Sequence, residues 1–268
     1  MSNKGRPDMA LTGKGGLPID QAQATDHFNS PLLRALRYLV SIPVRDLFHF
    51  EKHLLFARVF PYTMAGYARL SNTYDLARSC EEKGLEGAFV ECGVWRGGMA
   101  GVMAYVAEKA GSRRKIWLLD SFEGLPEPTV KDGARAVRYA SHKDSGRLAG
   151  IGKCVGTLEV VENVLFSVLG LDQRCIVLDK GWFQLTLPKA RERIGTIALL
   201  RLDADRYEST KVCLENLYDQ VISRGYVIID DYGHWEGCRE AVDSFLSERQ
   251  IDVRMVETDE TGMYFRKP

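Results

Sequence analysis

Apolar residues fall along this chain in two alternating rhythms. Short β-branched or aromatic runs, Ala88–Cys92, Lys115–Phe122, Arg174–Phe183, Ile197–Asp203 and Tyr226–Asp231, read as buried strands. Between them lie stretches with helical spacing: Met99–Lys109, Thr157–Leu169 and the helix opened by Gly237–Phe245, whose Ala241, Val242 and Phe245 share one face. Strands alternating with helices of that length predict βαβ units, hence an α/β fold with a parallel sheet. Asp252–Glu257 and Gly262–Arg266, joined through Thr258–Thr261, predict a closing hairpin whose last strand runs antiparallel.

The flanking segments are less regular. Residues 1–26 are polar and without hydrophobic period, and they predict a disordered tail. From His27 to Phe60 the pattern is helical, with Leu32, Leu33, Leu36, Leu39 and Val40 interleaved by Arg34, Arg37 and Arg45. That segment reads as a lid or dimer helix; a basic helix resting on a membrane is the alternative, weakened by Asp46 and Glu51. A further helix ends near Lys83-Gly84, giving a helical segment 27–84 ahead of a main domain 85–268. Pro126–Gly156 is a long polar connection, expected to be a substrate-facing flap.

Composition narrows the partners. The 268 residues carry 36 bases and 36 acids, so nothing favours nucleic acid or an anionic membrane, and a small molecule is the expected partner. Six scattered cysteines form no metal-binding or redox pair, and no leader or membrane span is legible, which predicts a cytoplasmic protein. Gly13–Gly16 fails as a phosphate loop, because no Ser or Thr follows its lysine.

The chemistry concentrates at strand ends. Ala88–Cys92 passes into Gly93-Val-Trp-Arg-Gly97-Gly98 and then into a helix, a place where backbone N–H groups and a helix dipole can meet a nucleotide-like cofactor. The glycines fall as G-x-x-x-G-G and not as the dinucleotide pattern; an ordinary βα turn remains the plain alternative. Asp120, at the tip of the second strand, is the expected ribose ligand. Trp182, after Gly181, offers a face for an adenine or else a core contact. Asp203, Asp230 and Asp231 end neighbouring strands, and three converging carboxylates favour a magnesium, manganese or calcium ion over three unrelated helix caps.

Five runs in order, from Thr63 to Phe245, resemble the macrocin O-methyltransferase family: the glycine loop, Asp120–Pro126, Gly181-Trp-Phe183, Leu200–Thr210 and Ile228–Phe245. The resemblance implies a Rossmann-like methyltransferase fold, seven strands with the last reversed, that uses S-adenosylmethionine and magnesium to methylate a hydroxyl of a sugar. It assigns the cofactor to Thr63, Met64, Glu91, Gly93, Trp95, Arg96, Gly97, Asp120, Ser121, Phe122, Gly181 and Trp182, and the metal to Asp203, Asp230 and Asp231. The expected partners are a glycan or small-molecule diol and a second copy of the chain, met through 27–60. Arg206 stands where related catechol-type enzymes carry a lysine, and it can stabilise charge but not take a proton. The expected base is Asp203, with His234 and then His142 behind it. A non-sugar diol acceptor, a nucleotide-dependent oxidoreductase and a non-catalytic cofactor binder are the competing readings.

Overall fold

The computed structural model describes Val40 and residues 42–268; the expected tail at 1–26 and residues 27–39 of the helical pattern expected over 27–60 lie outside the described residues. Val40–Pro268 make one compact unit built on a seven-stranded sheet. After a short 3-10 turn, Val44–Asp46, come helices α1 (Phe50–Val59) and α2 (Tyr67–Glu82). The alternation then runs β1 (Ala88–Cys92), α3 (Gly98–Lys109), β2 (Ile116–Asp120), α4 (Gly133–Tyr139), α5 (Leu158–Glu162) and β3 (Ile176–Lys180). It continues through α6 (Phe183–Ile194), β4 (Ile197–Leu202), α7 (Tyr207–Leu217), β5 (Val221–Ile229) and α8 (Glu236–Glu248) to β6 (Val256–Glu257) and β7 (Met263–Arg266).

Strand order is β3-β2-β1-β4-β5-β7-β6. β1 to β5 are parallel, and β7 pairs antiparallel with both β5 and β6, the reversal expected from the sequence. β1 and β4 are buried along their whole length, which is why they read as unbroken apolar runs. The order reverses between β1 and β4, and the crevice beyond the carboxyl ends of such a pair is where ligands bind.

Packing explains the small residues of α3. A Cβ on Gly101 would lie 2.5 Å from Leu169 Cδ1, so glycine there lets the segment after α5 approach closely. That segment, predicted as one helix over Thr157–Leu169, is α5 capped by the Thr157 hydroxyl and then a π-helical turn, Asn163–Val168. α2 packs against α3 and against β4 and β5, with Cys80 Sγ 3.6 Å from the Ala198 carbonyl.

Two sequence expectations change in detail. The hairpin's first strand is only two residues long, because Asp252–Met255 make no ladder bonds. The 126–156 connection is not structureless: it holds the 3-10 turn Val130–Asp132 and α4. Asp132 caps its own turn and also accepts the Tyr207 N–H at 2.6 Å, tying the connection to the start of α7. Among the described residues no helix is long and apolar enough to cross a membrane.

Candidate active site

The crevice at the β1/β4 switch point is a cleft of about 570 Å³, counting its open mouth. Met64, Gly93, Trp95, Asp120, Ser121, Gly181, Trp182, Asp203 and Asp205 stand on its wall. A second cleft lies at the opposite ends of β2 and β3, beside Asp172 and Arg174; it is at the amino edge of the sheet, away from the strand-end acids.

The glycine loop is shaped by close approach. Gly93 has φ +90°, and a Cβ there would lie 1.9 Å from the Asp203 carbonyl oxygen, so only glycine passes between β1 and the end of β4. Gly98 meets the Tyr62 carbonyl in the same way, at 2.5 Å, which seats the start of α3 beneath Thr63. Asp120 braces the loop from below: one carboxylate oxygen accepts the N–H groups of Val94 (2.7 Å) and Trp95 (3.1 Å), the other that of Phe122 (2.7 Å). Burial pushes its carboxyl up against the pull of those three bonds. Trp95, Phe122 and Asp205 all sit at positive φ, 49°, 56° and 55°, a cluster of backbone strain around one cleft.

The other expected cofactor residues divide. Thr63 is buried, its hydroxyl accepting the Ala65 N–H at 3.0 Å, and Met64 is exposed at the cleft mouth. Arg96 lies over the Trp95 ring at 4.8 Å. Glu91 is not on the wall: it is fully buried, 2.7 Å from Arg201 Nη1, and burial pushes its carboxyl up to about 8.

Three acids converge, though not the trio at the strand ends alone. Carboxylate oxygens of Asp203, Asp205 and Asp231 lie within 4.8 Å of one another. Burial raises all three carboxyls; repulsion from Asp230 adds to it at Asp203, from Asp203 at Asp205 and from Asp205 and Asp203 at Asp231, and Asp205 reaches about 7. Asp231 Oδ2 is buried with no hydrogen-bond partner among the described residues. Asp230 is turned to cations: Arg69 Nη1 lies at 2.5 Å from one oxygen and Arg201 Nη2 bonds the other. Burial works to raise its carboxyl, but Arg201 and Arg69 together hold it below the usual range. Arg201 also donates to Asp203 at 2.9 Å.

Asp205 escaped the sequence reading because only strand-terminal acids were counted. It lies three residues beyond β4, and a left-handed backbone returns its side chain to the cluster, where Trp235 Nε1 donates to it at 2.7 Å. The Asp-x-Asp spacing was the available signal. Arg206 is fully buried, 4.8 Å from the Trp235 ring. His234 has Nε2 3.3 Å from Arg135 Nη2, and burial, then Arg135 and Arg69, lower its pKa to about 4, so it is a weak proton acceptor. His142 is exposed just beyond α4.

The sheet order and the glycine-braced cleft at its switch point are shared with a solved O-methyltransferase. The family profile for macrocin-O-methyltransferase (TylF) matches residues 57–267, and the chain belongs to that family. It is 37% identical over 206 residues to 8-demethyl-8-(2,3-dimethoxy-alpha-L-rhamnosyl)-tetracenomycin-C 4'-O-methyltransferase of Streptomyces olivaceus, covering 76% of this chain and 75% of that one. It is 36% identical over 207 residues to demethyldecarbamoylnovobiocin O-methyltransferase of Streptomyces niveus, covering 77% and 76%. The solved O-methyltransferase NovP superposes with a TM-score of 0.67 at 32% identity, over 77% of this chain and 82% of that one. The protein is therefore an O-methyltransferase.

Proposed function

We propose that this chain transfers a methyl group from S-adenosylmethionine to a hydroxyl of a sugar on a natural product or glycan, with a divalent cation at the acid cluster. The observation that carries the reading is the convergence of Asp203, Asp205 and Asp231 on the cleft that Gly93 and Asp120 shape. All-oxygen donors with one orphaned buried oxygen, Asp231 Oδ2, fit a hard cation such as magnesium. Relatives named for rhamnosyl and novobiocin methylation support a sugar acceptor.

When bound, the cofactor supplies an electrophilic methyl group, and a cation lowers the pKa of an acceptor hydroxyl. The chain's part is alignment and proton handling. Asp203 and Asp231, with Asp205 beside them, would hold the cation, while both carboxylate oxygens of Asp230, the other expected ligand, are engaged by Arg69 and Arg201. Asp205, aimed by the Trp235 N–H, is better placed to accept the hydroxyl proton than Asp203, which Arg201 already engages. Glu91, Arg96, Thr63 and Phe122 serve the cofactor by shaping its pocket; Met64, Trp95, Ser121 and Trp182 line it. The arginine at 206 keeps its proton and contributes charge alone.

Phe48, Phe50 and Leu54 stand exposed on and before α1, which supports a dimer formed through this segment. The six cysteines are all unpaired, in keeping with a reducing, cytoplasmic setting. Calorimetric titration of S-adenosylmethionine and S-adenosylhomocysteine, with and without magnesium and alongside NAD, tests the reading. Binding of the sulfur cofactors alone is expected; binding of NAD in their place would overturn it.

A further inference from the structure

The acid cluster rests on a turn that does not hold itself. Asp203-Ala-Asp-Arg206 joins β4 to α7, and Asp205 sits in it at φ +55°, a sparsely populated backbone state that persists where neighbours over-determine it. Arg206, at the N-cap position of α7, offers no side-chain acceptor to the free N–H groups of the first helical turn. The cap comes from 75 residues upstream, where Asp132 Oδ1 accepts the Tyr207 N–H at 2.6 Å. Lys131 Nζ lies 3.9 Å from the centre of the Tyr207 ring, so two consecutive residues of the connection hold one residue of α7.

Asp132 is itself tightly seated. It is 3% exposed, and its Oδ2 accepts the Thr129 N–H at 2.7 Å and the Thr129 hydroxyl at 3.1 Å. The start of α8 closes on it from the other side. A Cβ on Gly237 would collide with Asp132 Oδ1, and one on Gly133 with Glu236 Oε2. Gly237 lies within α8, so its missing side chain serves this contact and not a turn. A carboxylate placed between the N-terminal ends of two helices is stabilised by both dipoles. Those two helices leave from the strand ends that carry the cluster. α7 follows Asp203 and Asp205, and α8 follows Asp231 and Trp235, whose indole N–H donates to Asp205 at 2.7 Å. Asp205 is thus bracketed by the indole and by the capped residue two places on.

We propose that Asp132 is a positioning residue for the cation site: by capping α7 from the acceptor-side connection, it fixes the turn that aims Asp203 and Asp205. The inference rests on the reading of the acid cluster as a cation site. Asp132 acts through Tyr207 and touches neither cation nor cofactor. The cofactor half of the cleft, braced by Asp120 at the end of β2, keeps its own support.

Full-length protein loaded with S-adenosylhomocysteine is titrated with magnesium by calorimetry. Asp132→Ala is expected to bind magnesium roughly tenfold more weakly than the unaltered chain, with S-adenosylhomocysteine affinity unchanged. Asp132→Asn keeps an oxygen for the Tyr207 N–H and is expected to stay within about threefold of the unaltered chain. Gly237→Ala crowds the Asp132 carboxylate from α8 and is expected to reproduce the Asp132→Ala loss, which carries the test where Asp132→Ala does not fold. Undiminished magnesium affinity in Asp132→Ala beside a lowered melting temperature would reduce Asp132 to a stability role and overturn the proposal. A loss in Asp132→Asn as large as in Asp132→Ala would do the same, because the cap would then be irrelevant. Failure of the unaltered protein to bind magnesium would instead sink the reading of the cluster beneath it.

Discussion

Two sets of acids meet at the carboxyl ends of β1, β4 and β5, and their surroundings are opposite. Glu91 and Asp230 are locked to Arg201, and Asp230 is further held by Arg69, which also reaches Asp259 at 3.1 Å. Asp203, Asp205 and Asp231 have an Arg201 contact to Asp203, the Arg206 charge near Asp205, one indole N–H and a hydrogen bond between Asp203 and Asp231. The first set is compensated within the chain. The second set lies at the cleft with its carboxylate oxygens within 4.8 Å of one another, whereas Glu91, although its carboxyl is also raised, is sealed in the core against Arg201. Asp230 and Asp231 are neighbours in sequence, yet one lies below its usual range and the other well above it. Position at a strand end is therefore insufficient to name a metal ligand; the count of nearby guanidiniums decides.

The comparison can be broken most sharply at Asp231. Asp231→Asn removes a carboxylate from the open set, and methyl transfer should fall roughly a thousandfold while S-adenosylhomocysteine affinity, read by calorimetry, changes little. Retained activity would mean the open set holds no cation. Arg201→Met attacks the compensated set: it leaves Glu91 and Asp230 buried without their main partner and should cost about 3–5 kcal/mol in denaturant unfolding. A loss under about 1 kcal/mol would show those acids to be neutral in the folded chain.

Acid and cation also compete in the open set. Asp205 is raised from 3.8 to about 7, so the folded chain takes up its proton more readily than the unfolded one. The stability this provides is full below about pH 4 and is lost as pH rises toward 7. A cation reverses that loss only where the carboxylates are ionised. Magnesium should therefore raise the melting temperature by roughly 2–4 °C more at pH 7.5 than at pH 5. Equal shifts in scanning fluorimetry would remove these carboxylates as ligands. The smallest effect is expected outside both sets: His234→Gln and His142→Ala should each keep methyl-transfer rates within about twofold, since His234 is already a poor base.

Much of this arrangement was legible in the residues. β1, β4 and β5 from residue 225 onward are buried on both faces, so their apolar runs needed no partner to be recognised. Gly93 marked a close approach that only the backbone of Asp203 explains. What escaped was long-range. No local pattern shows Arg69 of α2 meeting Asp230 across 161 positions, or places Glu91 under Arg201 when its motif suggested the cofactor. Asp205 was hidden by counting strand ends, and β6 was overextended because alternating residues without a partner strand still look like a strand. α4 was missed because seven residues inside a polar, glycine-marked stretch give too few turns for a period to emerge.

The connection between β2 and α5 is fastened at both ends. Asp132 grips the Tyr207 N–H near its start, and near its finish the Lys153 carbonyl takes the Leu125 N–H at 3.0 Å while Gly156 fits against Trp95. The stretch from 134 to 152 is thus a cassette between two rivets. Swapping it for the corresponding stretch of a relative would exchange the surface offered to the acceptor while leaving both fastenings, and the cleft behind them, in place.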